Sequence, residues 1–218
     1  MYIPPAFRED RTEALHELIR LHPLGLLTTT GAGGLVATPI PFLMYAGGGG
    51  NGILRAHMAR ANPHWRDLQG AAECLVVFLG PQGYITPAWY ATKQETQKVV
   101  PTWNYVTVHA WGKPRLVEET VWLRRQLEDL TFAQESARPR PWSVGDAPED
   151  YVAAQMQAIV GIEIPIDRIE GKWKLSQNRT EADRTGVVAG LSDPQDPGHN
   201  LAMAALMAGA AILIDDPE

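Results

Sequence analysis

Residues 24–45 read LGLLTTTGAGGLVATPIPFLMY, and this stretch decides the fold class. Residues 24–30 form a strand rich in leucine and threonine, 31–34 a turn, and 35–45 a second strand. Pro39 and Pro41 fall inside the second strand. Proline brings no N–H to a ladder, so this strand lies at an edge, is bulged, or turns its N–H side to a ligand. Working outward, further strands are predicted over 53–57 after the glycine turn 47–52, over 74–79, over 83–86, and over 104–117 with a bend at Gly112. Two more span 162–169 and 172–175 around a turn at Gly171.

Helices fill the rest. The first starts at Asp10 and Glu13, ends at His22-Pro23 and buries Leu15, Leu18 and Ile19. A short one covers 63–69, with Asn62 as cap and Pro63 in first position. The next runs over 117–134 with Val121, Leu123, Leu127 and Leu130 as its apolar set. Another runs from Asp146 and Glu149 to about 160, closed by Gly161. The last two cover 180–191 and about 200–213. Nothing alternates as βαβ units do. The class is α+β: an antiparallel barrel decorated with helices.

Composition narrows the function. The 218 residues carry 19 Lys and Arg against 25 Asp and Glu, a formal charge of −6. That balance lacks the concentrated basic face of a nucleic-acid module. A single cysteine, Cys74, excludes an internal disulfide and a multi-thiolate metal site. The Met1 end has no basic start followed by an apolar run, and the apolar stretch 201–214 is too short and weak to span a bilayer. A cytoplasmic, membrane-free protein is the expectation. Seven tryptophans suit either buried core or a flat ligand and a subunit interface.

The nucleophile elbow, the H-E-x-x-H zinc motif and a strand-borne G-x-G-x-x-G are all absent. Three polar clusters remain. Arg55-Ala56-His57-Met58-Ala59-Arg60-Ala61-Asn62-Pro63 joins a strand end to a helix start, where free backbone N–H groups and two arginines suit an anion such as a phosphate. An ordinary surface turn is the plain alternative. Pro101-Thr102-Trp103-Asn104-Tyr105, followed by His109, sets two rings around an amide and suits a flat, polar-edged ligand or a strand start. Gly171 to Arg179 concentrates two lysines, an indole, a hydroxyl, two amides and an arginine. It reads equally as a ligand-binding segment or as a solvated strand end followed by a helix cap.

The segments MYIPPAF, HMARANPHW, GYITPAWY, VPTWNYVTVHAWG and GKWKLSQNR together resemble the PaiB-type family of FMN-binding negative transcriptional regulators, from Met1 to about Leu191. The resemblance implies a split β-barrel akin to pyridoxamine-phosphate oxidases over residues 1–191, with 192–218 as a C-terminal loop and helix. It implies a homodimer with FMN at the subunit interface. Carried onto this chain, Arg55, His57, Arg60 and Asn62 would hold the phosphate and ribityl. Thr38 and Pro39 would lie along the flavin ring. Trp103 and Tyr105 would close the site, and Lys174, Gln177 and Asn178 would offer donors. The family's regulatory role sits uneasily with the charge of −6 and the lack of a readable helix-turn-helix, so direct DNA binding is not expected. An FMN-dependent oxidoreductase using a reduced nicotinamide is the alternative function. A haem protein of the same fold, with His57 or His109 as ligand, is a lesser one.

Overall fold

The computed structural model describes residues 1–47 and 50–209. In chain order the elements are β1 (Arg8–Glu9), α1 (Thr12–Leu21), β2 (Leu24–Gly31), β3 (Gly34–Pro41), β4 (Leu43–Tyr45), β5 (Ile53–Ala59), α2 (His64–Leu68), β6 (Cys74–Ile85) and α3 (Thr92–Thr96). There follow β7 (Thr102–Gly112), β8 (Arg115–Val117), α4 (Thr120–Glu135), α5 (Glu149–Gln157), β9 (Ile159–Pro165), β10 (Arg168–Lys174), α6 (Glu181–Ser192) and α7 (Leu201–Met207). One sheet has the order β1-β10-β7-β6-β2-β3 and the other β4-β5-β9-β8. No helix among the described residues is long and apolar enough to cross a membrane.

The chain divides into two compact units. The first holds residues 22–78 and 109–169; the second holds 1–21, 79–108 and the chain from 170 onward.

In the first unit the hairpin of residues 24–45 pairs as its alternation requires, with Leu26 opposite Pro39 and Leu27 opposite Thr38. β3 is indeed an edge strand, which is where its prolines are tolerated. The predicted single strand 35–45 is two, broken at Phe42, because β3 and β4 belong to different sheets. Buried Phe42 donates its N–H to Pro23 O (2.8 Å) and packs edge-on against Phe78. The strand 104–117 is likewise two: β7 ends at Gly112, where an added Cβ would stand 2.0 Å from Pro165 O. Cys74 is buried, and its thiol donates to Gly112 O at 3.3 Å.

Two glycine expectations are corrected. Gly161 lies inside β9 rather than capping a helix, since its missing Cβ admits the Trp122 ring, which a Cβ would meet at 2.4 Å. Gly171 lies inside β10 rather than in a turn, because Leu15 packs where its Cβ would be, at 2.2 Å. The predicted strands 74–79 and 83–86 are one continuous β6. On α4, Leu123 joins Val144, Val152 and Met156 in a small core with Leu127, but Val121 is 84% exposed.

In the second unit α1 buries Leu15, Leu18 and Ile19 as expected, but it starts at Thr12, with Arg11 O accepting its first bond. Thr180 caps α6 by accepting from Asp183 N–H, and Asn200 caps α7 by accepting from Met203 N–H. The predicted extension of that last helix over 210–213 lies outside the described residues, as do Gly48 and Gly49 of the glycine turn. Trp89 fits a notch of three glycines. A Cβ on Gly186 would stand 2.1 Å from Trp89 O, and Cβ atoms on Gly190 and Gly198 would strike the indole. The indole N–H donates to Asp196 at 3.0 Å.

Candidate functional site

The sequence-derived residues fall into two sets, six in the first unit and five in the second.

In the first set, Arg55 and His57 share one face of β5, while Leu54, Ala56 and Met58 are buried on the other. Register places Glu163 of β9 beside both Arg55 of β5 and Arg115 of β8. Arg55 Nε donates to Glu163 Oε2 (2.8 Å) and Arg115 Nη2 to Oε1 (2.5 Å). Opposite charges directly across a ladder are the favourable arrangement. Burial alone would push the Glu163 carboxyl up; Arg115 and Arg55 outweigh it and hold it below the usual carboxylate range. The Arg55 guanidinium lies 4.6 Å over the Tyr45 ring and 5.7 Å from that of Trp122. Burial, with Asp129 accepting its hydroxyl at 2.6 Å, pushes the Tyr45 phenol up to about 12.

Helix α4 packs its Trp122, Gln126 and Asp129 over this sheet face. Gln126 Oε1 accepts from His57 Nδ1 at 2.7 Å, which fixes the imidazole proton on that nitrogen. Arg60 donates to Glu118 and to the carbonyls of Gln157 and Ile159. The predicted helix start is there, with Asn62 Oδ1 accepting from His64 N–H (3.1 Å), but α2 has only five residues. Arg55, His57 and Arg60 are therefore not loose surface groups. Each has a partner that sequence reading missed: Glu163, Gln126 and Glu118.

Thr38 faces His64, which is 1% exposed and stands 2.7 Å from both Thr38 Oγ1 and Thr29 Oγ1. Burial pulls the His64 pKa down. The neutral ring then donates to one threonine oxygen and accepts from the other hydroxyl. Pro39, next in the strand, points to the opposite face. That face is apolar and open to solvent: Leu24, Leu26 and Leu35 are exposed, and Val77 of β6 stands opposite Leu26.

In the second set, Trp103 and Tyr105 share one face of β7 and Asn104 is buried on the other. Trp103 is 54% exposed and meets Tyr84 edge-on at 6.0 Å. Lys172 and Lys174 alternate on β10. Lys172 Nζ donates to Tyr2 O (3.1 Å) and lies 5.2 Å from the Tyr105 ring centre. Lys174 Nζ donates to Thr102 Oγ1 (2.5 Å) and to Trp103 O. Burial, with Lys172 and Arg179 nearby, pulls the Lys174 pKa below that of an ordinary lysine. Gln177 folds back on its own segment, accepting from Leu175 N–H and donating to Trp173 O. Asn178 is exposed. Among the described residues, none of Lys172, Lys174 and Arg179 forms an ion pair, in contrast to Arg55, Arg60 and Arg115. The second set thus offers aromatic surface with positive charge held in no ion pair among the described residues, although the buried Asp183 carboxylate acts on Arg179. This suits a flat ligand bearing an anionic group.

Comparison with known proteins places the chain in a family. The family model described as "Putative FMN-binding domain" matches residues 1–168. Protein AN0679 of Emericella nidulans is 40% identical over 88% of this chain and 91% of its own length. Protease synthase and sporulation protein PAI 2 of Bacillus subtilis is 31% identical over 90% of this chain and 92% of its own. Among solved structures, the flavocytochrome Anf3 of Azotobacter vinelandii superposes with a TM-score of 0.57 at 15% identity, covering 82% of this chain and 75% of Anf3. That likeness establishes the fold as an α+β antiparallel split barrel with added helices.

Proposed function

This chain belongs to the FMN-binding domain family, so its cofactor is FMN, and we propose that it serves as a PaiB-type regulatory flavoprotein working as a homodimer. The observation that carries this reading is the cationic, aromatic surface of the second unit. An isoalloxazine ring needs apolar, partly exposed rings beside it and hydrogen-bond donors at its edge. Trp103, Tyr105 and Tyr84 supply the first, and Lys174, Gln177 and Asn178 the second. The phosphate needs positive charge that no carboxylate has already neutralised. Thr38, Pro39, Arg55, His57, Arg60 and Asn62 are assigned to FMN as a separate set within their own unit. Bound FMN supplies the electron and hydride chemistry; the chain supplies binding, orientation and local charge.

The open apolar face of the β2–β3 hairpin supports a second copy of the chain as partner, since an exposed apolar patch on a sheet edge invites association. The regulatory output works without direct DNA contact: the formal charge of the chain is −6, and Arg55, Arg60, Arg115 and Arg124 are each held in an ion pair. A cytoplasmic location accompanies this reading.

The test is an absorption spectrum of the purified protein, with mass analysis of what heat denaturation releases. Flavin bands and released FMN are expected. A colourless protein that also fails to bind added FMN overturns the reading. The exposure of Trp103 favours one second reading, an FMN-dependent oxidoreductase, because it leaves room for another small molecule at the aromatic surface. Bleaching of the flavin by a reduced nicotinamide, followed by reoxidation on adding an acceptor, distinguishes it.

A further inference from the structure

Within the first unit, His64 of α2 stands between two threonines of the β2–β3 hairpin. Leu27 pairs with Thr38, so Thr29 and Thr38 are diagonal neighbours on one face of that hairpin. His64 Nε2 lies 2.7 Å from Thr29 Oγ1, and Nδ1 lies 2.7 Å from Thr38 Oγ1. Asn62 Oδ1 holds the backbone of the histidine in place by accepting from its N–H.

The ring is neutral. Burial lowers its pKa and outweighs the Asp67 carboxylate, which acts the other way. A neutral imidazole offers one N–H and one lone pair, so the two threonines take opposite roles. Burial decides which takes which. Thr29 is 3% exposed, and among the described residues its hydroxyl meets only His64. If Thr29 were the acceptor, its own O–H would be buried with nothing to donate to, at the full desolvation cost of that donor. Thr29 O–H therefore donates to Nε2. The ring proton then sits on Nδ1 and is donated to Thr38 Oγ1. Thr38 is half-buried on the edge strand, and among the described residues its hydroxyl has no other partner. Its own O–H is left to donate elsewhere.

We propose that His64 is a positioning residue for FMN: by donating to Thr38 Oγ1 it presents the Thr38 hydroxyl as a hydrogen-bond donor to an acceptor atom of the flavin ring. The ligand in this proposal rests on Thr38 belonging to the FMN set, as proposed for this unit. The direction of the relay rests on the burial of Thr29 alone.

Two measurements on the full chain test it. A long-range nitrogen–proton correlation spectrum of the parent protein reads the His64 tautomer, with its peaks identified by their loss in His64→Gln. The proton is expected on Nδ1. Fluorescence titrations then use FMN and lumiflavin, which has the ring but neither ribityl nor phosphate. Thr38→Val, and His64→Gln with its shorter side chain, are each expected to weaken both flavins about fivefold, the loss of one neutral hydrogen bond. Thr38→Ser keeps the hydroxyl and is expected to recover most of that loss. The double variant is expected to bind no worse than either single one, because the histidine acts only through the threonine. A proton on Nε2, parent-like affinity in Thr38→Val, or additive losses in the double variant overturns the proposal and leaves the FMN reading intact. A loss seen with FMN but not with lumiflavin overturns the contact with the ring. A parent chain that binds neither flavin overturns the FMN reading and the ligand proposed here, while the spectrum still decides the relay.

Discussion

Arg55 and Glu163 are direct cross-strand partners, with Nε 2.8 Å from Oε2, although 108 residues separate them. Glu163 is only 6% exposed and also serves Arg115. Removing the buried carboxylate leaves two partly solvated guanidiniums without their acceptor, at a cost of about 1–3 kcal/mol. Glu163→Gln is therefore expected to lower the denaturation midpoint substantially. Its carboxyl pKa is lowered in the fold, so the stabilisation is complete above the ordinary glutamate value of about 4.3 and is lost as the pH falls below it. Thermal melts from pH 7 to pH 3 should show that acid loss in the parent protein and a shallower one in the variant.

His64 carries the opposite chemistry with the same sign of pH dependence. Burial lowers its pKa, so the unfolded chain takes up a proton more readily than the folded one. Stability should fall as the pH drops below about 6.5, the ordinary histidine value. A His64→Gln variant should lose this component between pH 7 and pH 5, along with the bridge between Thr29 and Thr38. Equilibrium unfolding in urea at a series of pH values measures it. A pH-independent parent curve across this window would refute the assignment.

Gly186 and Gly190 are helical positions where alanine ordinarily stabilises by up to about 1 kcal/mol. Here the sign should reverse. A Cβ on Gly186 would stand 2.1 Å from the Trp89 carbonyl oxygen, a backbone atom that cannot swing aside. Gly186→Ala is expected to cost about 3 kcal/mol, and Gly190→Ala less, since a side chain can shift. Chemical denaturation of the two variants ranks them.

Leu26 sits opposite Pro39 and Val77 on the open face of the edge hairpin. Leu26→Glu should leave the melting temperature of the folded unit nearly unchanged while shifting the protein to monomer in light scattering. A dimer that survives both Leu26→Glu and Leu24→Glu would move the interface elsewhere.

The strands were legible because leucine, threonine and valine alternate with the pleat, and both edge prolines announced the character of β3. What stayed hidden were the places where a strand leaves one sheet for another. Phe42 is as good a strand former as its neighbours, so nothing local marks the break between β3 and β4. Gly161 and Gly171 looked like stops because glycine often is one; the cause was instead a close approach, by Trp122 in one case and Leu15 in the other. Residues 80–83 read Gly-Pro-Gln-Gly, yet β6 runs through them. For the candidate site, the residue types on β5, β7 and β10 could be picked out in advance. Their partners could not, because His57 meets Gln126 and Arg55 meets Glu163 only once α4 and β9 return to the same sheet.

The buried thiol of Cys74 gives the protein a clock of its own. Burial raises its pKa to about 12, and the thiolate that would react with a disulfide reagent is absent at neutral pH while the β6 strand keeps its place. Labelling then waits for the strand to leave the sheet, so with the reagent in enough excess to outpace reclosing, one colorimetric trace of the native protein times its spontaneous opening, with no denaturant added.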